Sequence, residues 1–184
     1  MRLFVFALGP LKMTPDICNA TSPTGASHQT LFRFEMDFSA TLRCIPMAVR
    51  RKLDLSGIKL SLRQWNRFSL ADREKLLNLP CENAGDITAY RDSLLDLIRE
   101  RADEEAKRLP GVVVADWLEV EIVPQAILSF SAERGVAPPS LEQWQRLTEL
   151  QRFALMKLTR DHHDNENFIP AMHEFGLLSR RSDN

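Results

Sequence analysis

Five cysteine and histidine side chains beyond residue 28 are the candidates to bind a metal or act as nucleophiles: Cys44, Cys81, His162, His163 and His173. Thiolate and imidazole are good ligands for zinc and other soft metals. Closed zinc sites normally draw on closely paired ligands, whereas Cys44 and Cys81 lie 37 residues apart with no C-x-x-C motif. His162 and His163 are adjacent, so on a helix their side chains diverge by about 100°. A cysteine with a distant histidine also supplies a nucleophilic pair, but no local signature of such a cysteine is present. The sequence has no G-x-S-x-G, no Gly-rich phosphate loop and no dinucleotide fingerprint. The cysteines therefore read first as small core residues and the histidines as polar loop groups. On these grounds no cofactor is expected, and binding is favoured over catalysis. A metal- or redox-responsive Cys/His module is the alternative.

The second chemical feature is charge. Nine basic and three acidic residues fall between Arg43 and Lys75, although 24 Lys and Arg against 25 Asp and Glu leave the whole chain at -1. Arg43, Arg50, Arg51, Lys52, Lys59, Arg63 and Arg67 would make one end of the molecule basic. Such an end suits an acidic protein surface or a phosphate-bearing ligand. A short basic helix-turn-helix is also how many DNA readers look, so nucleic-acid binding through residues 43–75 is a further alternative. The balanced net charge and the loss of basic character in the second half, where Glu142 replaces Arg63, weigh against it. No apolar run approaches the roughly 20 residues that span a bilayer, so no membrane partner is expected. Three sparse cysteines point to a reduced compartment, hence a cytoplasmic protein.

These side chains must be positioned by a chain of 184 residues, enough for one domain that buries roughly 70% of its unfolded surface. Residues 1–28 combine a short apolar start, interrupted at Gly9-Pro10, with a run of Thr, Ser, Asn, Gly and Pro. They read as a poorly ordered leader before a single domain at 29–184. Within that domain the sequence repeats itself. Residues 61–79 (SLRQWNRFSLADREKLLNL) and 140–158 (SLEQWQRLTELQRFALMKL) share eight identities in nineteen at an offset of 79, including Trp65 with Trp144 and Arg73 with Arg152. The match extends to about 44–98 and 122–175, joined by an extended linker at 110–123.

Each copy spells out helices. Ser61-x-x-Gln64 and Ser140-x-x-Gln143 are capping boxes, and Ser69 and Thr148 offer second caps eight residues later. Pro46 and Pro124 suit a first helical position, and Gly57 and Gly135 a helix end. Ile87, Tyr90, Leu94, Leu97, Ile98 and Ala102 recur at helical spacing. The matched tryptophans read as core anchors and the matched arginines as ties to helix carbonyls. The expected fold is all-α: two tandem pseudo-repeats of about four helices sharing one core.

The string FRFEMDFSATLRCIPMAVRRKLDLSGIKLSLRQW (Phe32 to Trp65) resembles the opening of the nitrate reductase-associated family. LNLPC (Leu77 to Cys81), QRFALMKL (Gln151 to Leu158) and ENFIPAMHEFGL (Glu166 to Leu178) fit it too. The resemblance covers about residues 31–178. It implies a bacterial protein whose gene often lies near those for nitrate reductase or molybdenum-cofactor synthesis, and it carries over no catalytic residue. The expected function is that of a small non-catalytic accessory protein for nitrate assimilation. It would bind nitrate reductase or the molybdenum-cofactor machinery through the basic segment, with its oligomeric state left open.

Overall fold

The computed structural model describes residues 31–102, 105–109, 116–160 and 166–178. The expected leader at 1–28, the His162–His163 pair and residues 110–115 of the expected linker lie outside these. A 3-10 turn (Arg33–Phe38) leads into α1 (Met47–Ser56), α2 (Leu62–Arg67), α3 (Leu70–Asn78) and α4 (Ala84–Leu97). α4 runs on into a π turn (Ile98–Ala102). The second half holds α5 (Gln125–Glu133), α6 (Leu141–Arg146), α7 (Glu149–Leu158) and α8 (Phe168–Glu174).

The helical class stands, with one departure. β1 (Ile58–Lys59) and β2 (Lys107–Arg108) pair antiparallel, Ile58 opposite Arg108 and Lys59 opposite Lys107. Gly57 ends α1 in the left-handed region at φ 70° and turns the chain into β1. The Gly57 carbonyl then accepts from the Leu109 N–H at 2.9 Å, extending the ribbon. Two-residue strands have too few positions to leave an alternating pattern in sequence.

Local chemistry sets the helix starts. Ser61, Ser69, Ser140 and Thr148 each accept from the backbone N–H three residues on. The residue at that place, Gln64, Asp72, Gln143 or Gln151, reaches back to the cap. Each box satisfies donors that a helix start otherwise leaves without partners. Pro46 and Pro124 stand at the N-cap, one residue ahead of the expected place.

Two apolar clusters fill the interior. One gathers α1 to α4 around Val49, Trp65, Leu76, Tyr90, Leu94 and Ile98. The other gathers α5 to α8 around Ile127, Trp144, Phe153, Leu155, Phe168 and Met172, and takes in Met47 of α1. Leu55 and Leu150 pack against both clusters and make the interior continuous.

The paired tryptophans and arginines act together. Trp65 and Trp144 are fully buried, and their indole N–H groups donate to the carbonyls of Leu42 (2.6 Å) and Glu119 (2.9 Å). Arg73 donates to the carbonyls of Trp65, Asn66, Thr41 and Leu42. Arg152 donates to those of Leu147 (2.6 Å) and Trp117 (3.0 Å). In each half an indole and a guanidinium thus hold an irregular segment that precedes the helical hairpin. Leu42 adopts φ 46°, which strains a residue with a Cβ, and the two donors on its carbonyl hold it there.

Replacing Ser61 or Ser140 by Ala is expected to lower unfolding free energy by about 1 kcal/mol each. Urea denaturation checks this, and the m-value should be unchanged because the same surface is exposed on unfolding.

Candidate functional site

α1 carries Arg50, Arg51 and Lys52 in succession, and helical geometry sends consecutive side chains about 100° apart. Arg51 and Lys52 consequently point inward, only 9% and 6% exposed. The Arg51 Nε donates to Glu149 Oε1 at 2.7 Å and its Nη2 bonds the same oxygen; Nη2 also lies 3.5 Å from Glu82 Oε2. Lys52 Nζ donates to the carbonyls of Leu77 and Leu79, both at 2.6 Å. Those carbonyls belong to the C-terminal end of α3, where a cation meets the negative end of the helix dipole. Arg50 Nε donates to the Ile45 carbonyl at 3.0 Å, and Arg67 Nη1 to the Ala102 carbonyl at 2.7 Å. The expected basic face is thereby divided: Arg51 and Lys52 are inside the protein, while Arg43, Lys59, Arg63 and Arg67 are exposed.

What the helix withdraws, the ribbon adds. Lys107 and Arg108 are exposed on β2, and Lys107 is the cross-strand partner of Lys59. Directly opposed residues leave the same face with Cβ atoms about 4.5–5.5 Å apart, and like charges so placed destabilise a sheet. No carboxylate among the described residues pairs with Lys59, Lys107 or Arg108. The chain continues from Lys59 through Leu60 and Ser61 to Leu62, which is 50% exposed, and to Arg63. The result is a basic corner with an apolar residue beside it, built by β1, β2 and the start of α2. Lys107 and Arg108 had no signal in the sequence, since they lie 48 or more residues from Lys59 and are joined to it only by strand pairing.

Three of the metal candidates, Cys44, Cys81 and His173, lie among the described residues. Cys44 is half-buried, Cys81 is buried, and His173 is exposed on α8. Among the described residues no three His, Cys, Asp or Glu side chains gather as a metal would require. Cys81 sits near Lys52, Tyr90 and Arg51. Burial pushes its thiol up, against the opposing pull of Arg51 and Lys52. A thiol so held stays protonated at neutral pH and is a poor nucleophile. Burial also draws the Lys52 ammonium down.

Glu35 is the most perturbed carboxyl among the described residues, and sequence reading passed over it. It is 3% exposed, and its Oε1 accepts from the Met47 N–H at 2.8 Å while Oε2 accepts from Phe32 N–H at 3.1 Å. It thus caps α1 from 12 residues upstream, where Pro46 has no side-chain donor or acceptor to offer. Burial raises its carboxyl to about 7, outweighing the two N–H bonds and Arg50; Glu174 adds a small push in the same direction.

The fold and this corner define a helical protein with a charged surface built across two distant segments. Residues 31–175 match the family described as conserved nitrate reductase-associated protein. The chain belongs to that family. No curated protein and no solved structure matches it. Among the described residues no helix is long and apolar enough to cross a membrane.

An acid whose folded pKa lies above its unfolded value stabilises the fold below the unfolded pKa and loses that contribution as pH rises through the folded one. For Glu35 the window runs from about 4.5 to 7. Relative to Glu35→Gln, the native protein is expected to lose on the order of 2–3 kcal/mol between about pH 4.5 and 8. Chemical denaturation of both across that range tests it; parallel profiles would contradict the assignment.

Proposed function

We propose that this protein is a non-catalytic accessory of nitrate assimilation that acts in the cytoplasm by binding nitrate reductase or the machinery that supplies its molybdenum cofactor. The observation that carries the reading is family membership across nearly the whole described chain. The contact surface is the basic corner of Lys59, Lys107 and Arg108 with Leu62, Arg63 and Arg67 on the adjoining α2. An opposed pair of lysines costs stability in the isolated protein, and an acidic partner would relieve that cost. Leu62 supplies the apolar contact that such interfaces place among their charges. Arg51 and Lys52 serve this surface only indirectly, by fixing α1 and α3 beneath it.

The same reading takes the two halves as copies of one unit. The matched capping boxes, the indole bonds of Trp65 and Trp144 and the carbonyl clamps of Arg73 and Arg152 support it. The copies have diverged in charge, and the basic corner joins the first copy to the β2 segment that follows it.

Crosslinked pull-down from nitrate-grown cells, read by mass spectrometry, tests the function. Nitrate reductase or cofactor-synthesis proteins are expected in the native sample and are expected to fall at least about tenfold with Lys59→Glu plus Lys107→Glu, whose exposed positions leave the fold intact. Absence of those partners, or equal recovery with the double variant, would refute the reading. Reversing Arg51 and Lys52 is expected instead to lower thermal stability, because each would leave buried groups unpaired.

A further inference from the structure

A cleft of about 580 Å³ opens between the 3-10 turn, α7 and α8, lined by Arg33, Phe34, Gln151, Pro170, His173 and Glu174. Its size falls within the range of ordinary small-molecule sites. Packing holds it in shape. Phe32 and Phe34 stack at 5.3 Å between ring centres, and Phe32 lies 4.9 Å from the Phe175 ring that follows α8. The Arg33 N–H donates to both oxygens of Glu174, at 2.8 and 3.0 Å, and fastens the turn to the helix.

The hydrogen-bonding groups of the cleft are unbalanced. Both oxygens of Glu174, its one carboxylate, are engaged by the Arg33 backbone. Gln151 Oε1 is engaged by the Thr148 N–H at 2.8 Å, which leaves its Nε2 without an acceptor among the described residues. The Arg33 guanidinium and the His173 imidazole likewise have no partner among them. Three residues whose side-chain donors have no acceptor among the described residues thus line the cleft, beside a Glu174 carboxylate already tied to the Arg33 N–H, while Phe34 and Pro170 offer apolar wall. A guanidinium fork matches carboxylate and phosphate geometry.

We infer that this cleft binds a small organic anion, a carboxylate or phosphate monoester carrying a flat apolar group. Arg33, His173 and the Gln151 amide would hold the anionic head, and Phe34 and Pro170 the apolar part. The inference rests on different residues from the partner-binding surface, and either stands without the other.

The test is a titration of the full chain with benzoate, phenyl phosphate and benzyl alcohol, followed by amide chemical shifts and repeated with Arg33→Ala and His173→Gln. Saturable shifts at residues 33–34, 151 and 171–174 are expected with benzoate, phenyl phosphate or both, and not with benzyl alcohol. Which of the two binds tighter identifies the head group. Each substitution is expected to weaken binding at least about fivefold, with melting temperature checked to exclude loss of fold. No saturable shift up to about 10 mM, equal binding of benzyl alcohol, or unchanged affinity in both variants would overturn the site.

Discussion

The protein depends on one helix, α1, being bound on several sides at once. Its apolar residues Ala48, Val49 and Leu53 belong to the first core cluster, and Met47 belongs to the second. Its polar residues make the joint. Arg51 reaches Glu149 at the start of α7, and Asp54 accepts from Lys157 at the end of α7 at 2.6 Å. Both ends of α7 are thereby tied to one helix, with Leu55 and Leu150 packed in the seam. The charges also match the dipole of α7, a carboxylate at its N-terminus and an ammonium at its C-terminus. Burial lowers the Lys157 ammonium while Asp54 holds it charged. Breaking one partner of such a pair leaves a poorly solvated charge behind, which is costlier than losing a surface ion pair.

This constraint divides the basic residues by role. Side chains that face the seam or the end of α3 are consumed by the fold. Those on β1, β2 and α2 remain at the surface, where the helices hold a ribbon too short to be stable alone. Lys52 links the two roles. Its bonds to the Leu77 and Leu79 carbonyls fix the end of α3, and α2–α3 in turn present the exposed Leu62 and Arg63. The surface read here as a partner contact is therefore a product of buried electrostatics one layer below it.

Features written over three or four consecutive residues were legible in the sequence. The capping boxes at Ser61 and Ser140, the second caps at Ser69 and Thr148, the glycine ends at Gly57 and Gly135 and the helical stripe of α4 all depend on neighbours in the chain. The paired Trp and Arg were legible because they recur, which marks them as constrained without saying what they bond. Features built by distant segments were not legible. A run of Arg50, Arg51 and Lys52 looks like a charged surface until Glu149, 98 residues away, arrives to receive Arg51. Glu35 had no motif, since its role as a cap for α1 skips the intervening Thr41–Ile45 segment. Leu42 at positive φ had no glycine or asparagine to announce it. Charge counting over residues 43–75 could not assign the basic residues to inside or outside, nor bring in Lys107 and Arg108.

The central claim is that Arg51 and Glu149 join the two halves through α1 and α7. A double-mutant cycle with Arg51→Met and Glu149→Gln, measured by urea unfolding, tests it most directly. A favourable coupling of about 1–3 kcal/mol is predicted, because the Arg51 guanidinium is buried and bonds the half-exposed Glu149 carboxylate through two of its nitrogens. Coupling below about 0.3 kcal/mol, the level of independent sites, would contradict the account.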